Sequence, residues 1–163
     1  MTPQPTPART AEDIETIRIL FREYAAGLGF DLGFQGFEAE LALLPGKYAP
    51  PKGELLLAHA PDGEAANGAA VGCVAIRPLG QPGVAEVKRL YVRPAGRGSG
   101  AGRALATAAV SFATAAGYTQ LVLDTNPSMQ AAITMYRTLG FEPIKPYWDN
   151  PLPGFLYFGK CLA

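Results

Sequence analysis

The stretch VRPAGRGSGAGRAL, residues 92–105, places four glycines among three arginines. It lies between a predicted strand, VAEVKRLYV (84–92), and a predicted helix that runs from about Gly100 to Ala116. The first turn of a helix presents unpaired backbone N–H groups and a partial positive charge. Glycines at 98, 100 and 102 let those amides approach a ligand without obstruction by a Cβ atom. Arg97 and Arg103 add full charges, so the pattern predicts a site for a phosphate or pyrophosphate.

Two nucleotide-binding motifs that also use glycine-rich turns are excluded by spacing. The phosphate loop of nucleoside triphosphatases needs Gly-x4-Gly-Lys-Ser/Thr, but after Gly96 and four intervening residues the chain has Ala101, and no lysine follows it. The dinucleotide motif Gly-x-Gly-x-x-Gly, counted from Gly98, meets Arg103 at its last position. A flexible glycine turn with solvated arginines remains an alternative.

The overall composition is that of a globular protein with a locally uneven charge. The chain has 163 residues, 14 basic and 14 acidic, and 48% are hydrophobic. This balance argues against general binding to nucleic acid or to a membrane surface, and the length suits one domain, residues 1–163. Between Arg77 and Arg103 the only acid is Glu86, and the basic residues are Arg77, Lys88, Arg89, Arg93, Arg97 and Arg103. This segment therefore fits a local anion site.

Cysteine usage and the chain start bear on compartment and cofactor class. Cys73 and Cys161 are too few and too far apart for a disulfide framework or a zinc cluster, and no metal is expected. The first ten residues lack the apolar core of a signal peptide, and no apolar run approaches the ~20 residues of a membrane helix. We therefore expect a cytoplasmic protein.

The order of predicted elements indicates a mixed sheet with helices packed on it. Residues 1–9 are expected to form a loose arm or a short edge strand. Thr10 and Asp13 offer a capping box for the first helix, and Asn126-Pro127 is predicted to begin the last one. The first predicted helix follows Thr10, and the other three cover residues 37–44, 100–116 and 127–139. The predicted strands are 54–60, 69–76, 84–92, 118–125, 141–145 and 154–162, and a turn at 61–68 separates the first two strands.

The segment RGSGAG (97–102) resembles the Arg/Gln-x-x-Gly-x-Gly/Ala signature of the GNAT superfamily of acetyl-coenzyme A-dependent N-acetyltransferases. The similarity extends through the preceding strand, the following helix and the later AAITMYRTLGF, and covers residues 54–145. The resemblance implies an α/β fold of the α+β type, with a mostly antiparallel central sheet flanked by helices. It also implies acetyl-CoA as co-substrate. Its pyrophosphate would be bound by Arg97, Gly98, Ser99, Gly100, Ala101, Gly102 and Arg103, and its pantetheine arm would lie along Leu90, Tyr91 and Val92.

The resemblance also implies catalytic roles for two residues. Glu86 lies eleven residues before Arg97, where the protein-acetylating branch of the family has a general base. The alternatives are that Glu86 pairs with Lys88 on one strand face or is simply solvated. Tyr136 occupies the position of the family's general acid, which protonates the departing thiolate; it also continues an apolar helix stripe and could be a core residue. Many relatives have an asparagine where this chain has Met129, and Asn126 is better explained as a helix cap.

The acceptor side is less defined by the sequence. His59, the only histidine, is expected to be structural. Tyr147 and Trp148 lie in a proline-rich loop that, with residues 46–51, walls the acceptor pocket or forms a rigid surface connection. We predict acetyl transfer to the primary amine of a small molecule or peptide. A non-catalytic acyl-CoA-binding sensor and transfer of a longer acyl group are the alternatives, and a homodimer is an open question because dimers are common in the family.

Overall fold

The computed structural model describes residues 2–33, 36–61 and 69–162. Its elements follow the predicted order, and the first residues include a short strand. In chain order they are β1 (Pro5–Pro7), α1 (Ala11–Ala26), α2 (Phe37–Leu43), β2 (Glu54–His59), β3 (Ala70–Pro78), β4 (Val84–Val92), α3 (Ala101–Ala115), β5 (Gln120–Thr125), α4 (Gln130–Thr138), β6 (Glu142–Pro143) and β7 (Leu156–Cys161). The turn predicted at 61–68 lies, except for Pro61, outside the described residues.

The strands form one seven-stranded sheet in the order β1-β2-β3-β4-β5-β7-β6. Neighbouring strands are antiparallel except β4 and β5, which are parallel. The prediction of a mixed, mostly antiparallel sheet with flanking helices is therefore confirmed. Parallel neighbours require a crossover, and α3 supplies it between β4 and β5.

The first residues favour the edge strand over the loose arm. Pro5 pairs with Ala58 and Pro7 with Leu56 at the outer edge of the sheet. An edge position suits proline because it has no N–H to donate to a further strand.

Each face of the sheet carries its own apolar core. Leu56 and Ala58 of β2 face the side covered by α3 and α4, whereas Leu55 and Leu57 face the side covered by α1 and α2. This alternation follows from the two-residue period of a strand. Among the described residues, no helix combines the length and apolarity needed to cross a lipid bilayer.

The capping box predicted at the start of α1 is present. The Thr10 hydroxyl accepts the Asp13 amide at 3.0 Å, and the Asp13 carboxylate accepts the Thr10 amide at 3.2 Å. We expect Thr10→Ala to lower the free energy of unfolding by about 1 kcal/mol, because an amide of the first turn loses its acceptor. Urea denaturation measures this, with Thr16→Ala on the same helix as the matched control. Equal stability of the two variants would contradict the capping role.

The predicted start of the last helix is wrong by three residues. Asn126 does not cap α4; its side-chain oxygen accepts the Ser128 amide at 3.0 Å, and its carbonyl accepts the Met129 amide at 3.0 Å. These bonds close a turn, so the helix begins at Gln130 with Met129 as its N-cap. Asparagine satisfies either arrangement equally well from sequence alone.

Candidate functional site

The glycine-rich turn, residues 96–102, connects β4 to the amino end of α3. Gly98 and Gly100 have φ angles of 81° and 88°, in the left-handed region that glycine adopts without strain. Gly100 is the N-cap of α3 and, as a glycine, supplies no side-chain cap. Within the described residues, the amides of Gly98, Gly100 and Gly102 have no hydrogen-bond acceptor. The turn therefore presents three unpartnered N–H groups at the positive end of a 15-residue helix.

Two other residues of the turn stabilise it from within. The Ser99 hydroxyl donates to the Gly96 carbonyl and accepts the Ala101 amide at 3.4 Å. Ala101 is buried against the core beneath the turn. These contacts hold the turn in the shape that exposes the glycine amides.

The basic residues around the turn divide into two groups. Four of them lie beside acids: Arg77 and Lys88 beside Glu86, Arg89 beside Glu40, and Arg93 beside Glu23. Arg97 and Arg103 are exposed and pair with no carboxylate in the part of the chain that the structure describes. Arg97 donates to the Val92 carbonyl at 3.3 Å, and Arg103 to the Thr138 hydroxyl. The turn thus keeps two positive charges without a neutralising partner.

β4 and β5 separate into a wedge after a short region of pairing. Only Val84–Glu86 pair with Gln120–Val122. Beyond them, Lys88 and Leu90 of β4 face Asp124 of β5 across a cavity. Within the described residues, no strand pairs with residues 87–92 on this side. An extended ligand could therefore add to this free edge of β4 through backbone hydrogen bonds.

A bulge in β4 directs side chains to opposite faces of the sheet. Arg89 has a φ of 59°, and the register with β3 shifts between Cys73 and Ala75. The Arg89 side chain is 2% exposed and makes two hydrogen bonds of 3.1 Å to Glu40 of α2. Leu90 instead packs against the core on the α3 side, and both residues are among those that line the wedge. Arg89 consequently anchors α2 and is unavailable to a phosphate.

Three cavities follow β4 from the turn outward and share lining residues. The turn-side cavity is lined by Arg97, Gly102, Tyr91 and Val92; the central cavity lies in the wedge; the charged cavity lies beyond it at Glu86. Leu90 and Met129 line both the turn-side and the central cavities, and Lys88 lines both the central and the charged ones. The predicted cofactor-binding residues therefore lie at one end of this line and Glu86 at the other.

Tyr136 lies on α4 with its side chain against the central cavity. It is 5% exposed, and its ring meets Phe141 edge-on with centroids 5.4 Å apart. Burial raises the pKa of the Tyr136 phenol well above its ordinary value. The phenol therefore stays protonated near neutral pH, as a proton donor must.

Glu86 forms the floor of the charged cavity. It is 1% exposed, and its Oε1 lies 2.7 Å from Nη2 of Arg77. Its Oε2 accepts the Tyr147 hydroxyl at 2.5 Å and lies 4.0 Å from Nζ of Lys88. Lys88 does lie near Glu86, but Arg77 and Tyr147 are closer to the carboxylate and are its main partners. Burial, followed by the Glu86 charge, raises the pKa of Tyr147 far above its usual range.

Asp124 was missed by the sequence reasoning. It lines the central cavity, and its Oδ2 accepts the Trp148 indole N–H at 2.7 Å. Burial raises the pKa of Asp124, and the Lys88 charge opposes that rise. The signal that could have found it is a single acid within the apolar strand QLVLDT (120–125).

Two roles were considered for the loop that contains Tyr147 and Trp148. Both residues line the charged cavity, which favours the role of a pocket wall over that of a surface connection.

Three further residues occupy places that bear on the predictions. Met129 lines the central and turn-side cavities, where many relatives have asparagine. His59 lies on β2 and lines none of the three cavities. Cys73 is fully buried, and burial raises the pKa of its thiol, so it is not available as a nucleophile.

Comparison with known proteins identifies the family. The model of the acetyltransferase (GNAT) family matches residues 34–141. An uncharacterised N-acetyltransferase of Schizosaccharomyces pombe is 39% identical over 146 residues, covering 90% of this chain and 86% of that protein. An uncharacterised N-acetyltransferase of Escherichia coli is 31% identical over 139 residues, covering 83% and 80%.

Solved structures show the same fold. A phosphinothricin acetyltransferase of the GNAT superfamily from Sinorhizobium meliloti, solved in complex with acetyl-CoA, has a TM-score of 0.75 and 21% identity, covering 100% of this chain and 90% of that one. A GNAT-family acetyltransferase of Staphylococcus aureus has a TM-score of 0.74 and 16% identity, covering 98% and 99%. The family model, the related sequences and the open wedge between β4 and β5 agree, and the chain belongs to the GNAT family of N-acetyltransferases.

Proposed function

We propose that this chain transfers an acetyl group from acetyl-CoA to the primary amine of a small molecule or peptide, by direct attack of the amine on the thioester. The observation that carries the proposal is the line of three cavities along β4, from the unpartnered glycine amides to the buried Glu86. One end suits a diphosphate, and the other end holds a carboxylate that can accept a proton.

The glycine-rich turn fits the phosphates of the co-substrate. The amides of Gly98, Gly100 and Gly102 are free to donate, and a charge-assisted bond from Arg97 adds to them. Arg103, one turn into the same end of α3, is the residue that we assign to the ribose phosphate. Acetyl-CoA supplies the activated acetyl group when it is bound.

The free edge of β4 orients the thioester. Leu90 and Val92 offer backbone groups to the pantetheine arm on the side where β5 has diverged, whereas the Tyr91 backbone, like that of Arg93, faces β3. The backbone N–H near Leu90 polarises the thioester carbonyl and stabilises the negative charge that develops on its oxygen.

Glu86 removes the proton from the acceptor. A lysine-like amine has a pKa of roughly 10.4, so it is mostly protonated near neutral pH and must lose a proton before it attacks. Glu86 precedes Leu90 by four residues, about 13 Å along a regular strand. At this separation the carboxylate acts through a water, and Tyr136 donates a proton to the departing sulfur from the opposite wall of the central cavity.

The proposal is tested by free thiol release from acetyl-CoA across a panel of amines, with release in the absence of amine subtracted. An acetyltransferase releases thiol in proportion to amine and yields the N-acetyl product by mass spectrometry. The sensor alternative instead predicts heat of binding for acetyl-CoA in calorimetry with no amine-dependent release. That outcome would overturn the proposal.

Glu86→Gln is expected to lower kcat by about 10- to 100-fold, since the amide keeps the Arg77 and Tyr147 contacts but accepts no proton. Acetyl-CoA affinity, measured by calorimetry, is expected to stay unchanged. The matched control is Glu38→Gln, an exposed glutamate of α2. Full turnover of the Glu86 variant would show that Glu86 is not the general base and serves only as an ion-pair partner.

A further inference from the structure

The charged cavity has an uneven distribution of charge between its floor and its mouth. The Glu86 side chain at the floor is 1% exposed, whereas the Arg77 side chain is 26% exposed and that of Lys47 is 40% exposed. Both cations line the cavity together with Glu86. A molecule that enters therefore meets positive charge before it meets the carboxylate.

The carboxylates near this cavity are already engaged by protein groups. Glu86 accepts from Arg77 and Tyr147, as described above. Glu40, 4% exposed at its side chain, holds Arg89 through both oxygens and lies 3.3 Å from Nζ of Lys47. Asp124 accepts from Trp148. A cationic group on the acceptor would have to compete with these existing contacts.

The cations at the mouth still have donors to offer. Arg77 uses Nε and Nη2 on one oxygen of Glu86, and a guanidinium has five N–H donors in a planar fork. Lys47 has three donors on its ammonium, of which one faces Glu40. The Lys88 side chain is 10% exposed, less than those of Arg77 and Lys47, so Arg77 and Lys47 are the cations that a ligand meets first at the mouth.

We infer that the acceptor amine carries a second, anionic group, a carboxylate, phosphonate or sulfonate, which Arg77 and Lys47 bind while the amine faces the central cavity. The inference rests on the proposed acetyl transfer and names its substrate class. Leu79 and the rings of Tyr147 and Trp148 complete the wall and suit a short carbon skeleton between the two groups. The positive surroundings also favour the neutral form of the amine, which is the form that attacks.

The first test compares amines that carry an anionic group with neutral amines of similar carbon skeleton, at a fixed ionic strength. Alanine is compared with alaninamide, and taurine and aminoethylphosphonate with ethanolamine; putrescine represents a cationic acceptor. We expect kcat/KM for the acids to exceed that for the matched neutral amines by about tenfold or more, since a charge-assisted hydrogen bond is the difference. Comparison of kcat/KM among the carboxylate, sulfonate and phosphonate acceptors shows which anionic group the cavity prefers.

The second test uses variants of the mouth. Lys47→Gln is expected to raise KM for the preferred acid about fivefold with little change in kcat, and Arg77→Lys keeps the charge beside Glu86 but loses the planar fork, with a similar effect. Lys52→Gln, an exposed lysine that lines none of the three cavities, is the matched control.

The outcomes separate the two levels of the argument. If neutral or dicationic amines are acetylated as well as the acids, or if both mouth variants keep the preference for acids, the inference is overturned while acetyl transfer stands. If no amine of any charge is acetylated although acetyl-CoA binds, the proposed function itself fails. A tenfold preference for acids that Lys47→Gln and Arg77→Lys reduce supports the inference.

Discussion

Arg97→Glu is expected to weaken the binding of acetyl-CoA by roughly 100- to 1,000-fold, equivalent to about 3–4 kcal/mol. The variant loses a charge-assisted hydrogen bond of about 1.5–3 kcal/mol and places a negative charge beside the diphosphate. Arg97 is exposed, and within the described residues its side chain makes a single hydrogen bond, from Nε to the Val92 carbonyl at 3.3 Å. The free energy of unfolding should therefore hardly change. Calorimetric titration with acetyl-CoA measures the affinity.

The control for this variant separates a local effect from a change in net charge. Lys52→Glu alters the net charge equally but lies on the loop before β2, away from the turn. Its affinity for acetyl-CoA should stay within about twofold of the parent at an ionic strength of 0.15 M, where charges beyond roughly 8 Å are screened. If Arg97→Glu bound as tightly as Lys52→Glu, the turn would be a flexible loop with solvated arginines and not a phosphate site.

The parts of the fold that follow from short-range chemistry could be predicted from the sequence. The Thr10–Asp13 capping box and the glycine-rich turn depend on neighbouring residues, and both are present. The strands β2 and β3, predicted on either side of a turn, are likewise present and form an antiparallel pair. The start of α4 could not be predicted, because the Asn126 side chain can cap a turn or a helix with the same chemistry.

Charge partners were harder to anticipate because they come from distant parts of the chain. The segment from Arg77 to Arg103 contains a single acid, yet Arg93 and Arg89 are neutralised by Glu23 of α1 and Glu40 of α2. These contacts exist only when the helices pack on the sheet. They leave Arg97 and Arg103 as the cations of the turn, a distinction that the sequence does not contain.

The wedge between β4 and β5 likewise depends on how distant parts of the chain pack together. Both β4 and β5 are typical strand sequences, and nothing in either one marks the residue at which their pairing stops. The separation after Glu86 and Val122 places Asp124 opposite Lys88 in the central cavity, which explains why the position of Asp124 in this cavity was not predicted. The similarity to the GNAT family carried the assignment of Tyr136, since its helical position suits a core residue equally well.

Tyr136→Phe is expected to lower kcat by about 100-fold or more, the range typical of a lost general acid, without weakening the binding of acetyl-CoA. The phenylalanine ring retains the edge-on contact with Phe141, so the core around α4 should stay intact. Because burial raises the pKa of the Tyr136 phenol, the parent enzyme should keep its donor on the alkaline side at least to the ordinary tyrosine pKa of about 10. Steady-state kinetics from pH 6 to pH 9.5 and calorimetry measure both effects.

Tyr118→Phe provides the matched control, since it removes a hydroxyl that donates to the Lys52 carbonyl at 2.6 Å, outside the three cavities. It should leave kcat within about twofold, because the lost bond has no part in proton transfer. A packing role for Tyr136 predicts that its phenylalanine variant also keeps full turnover, since only the oxygen is removed. A loss of kcat confined to Tyr136→Phe, with thermal unfolding and acetyl-CoA affinity preserved, is therefore the result that distinguishes a proton donor from a core residue.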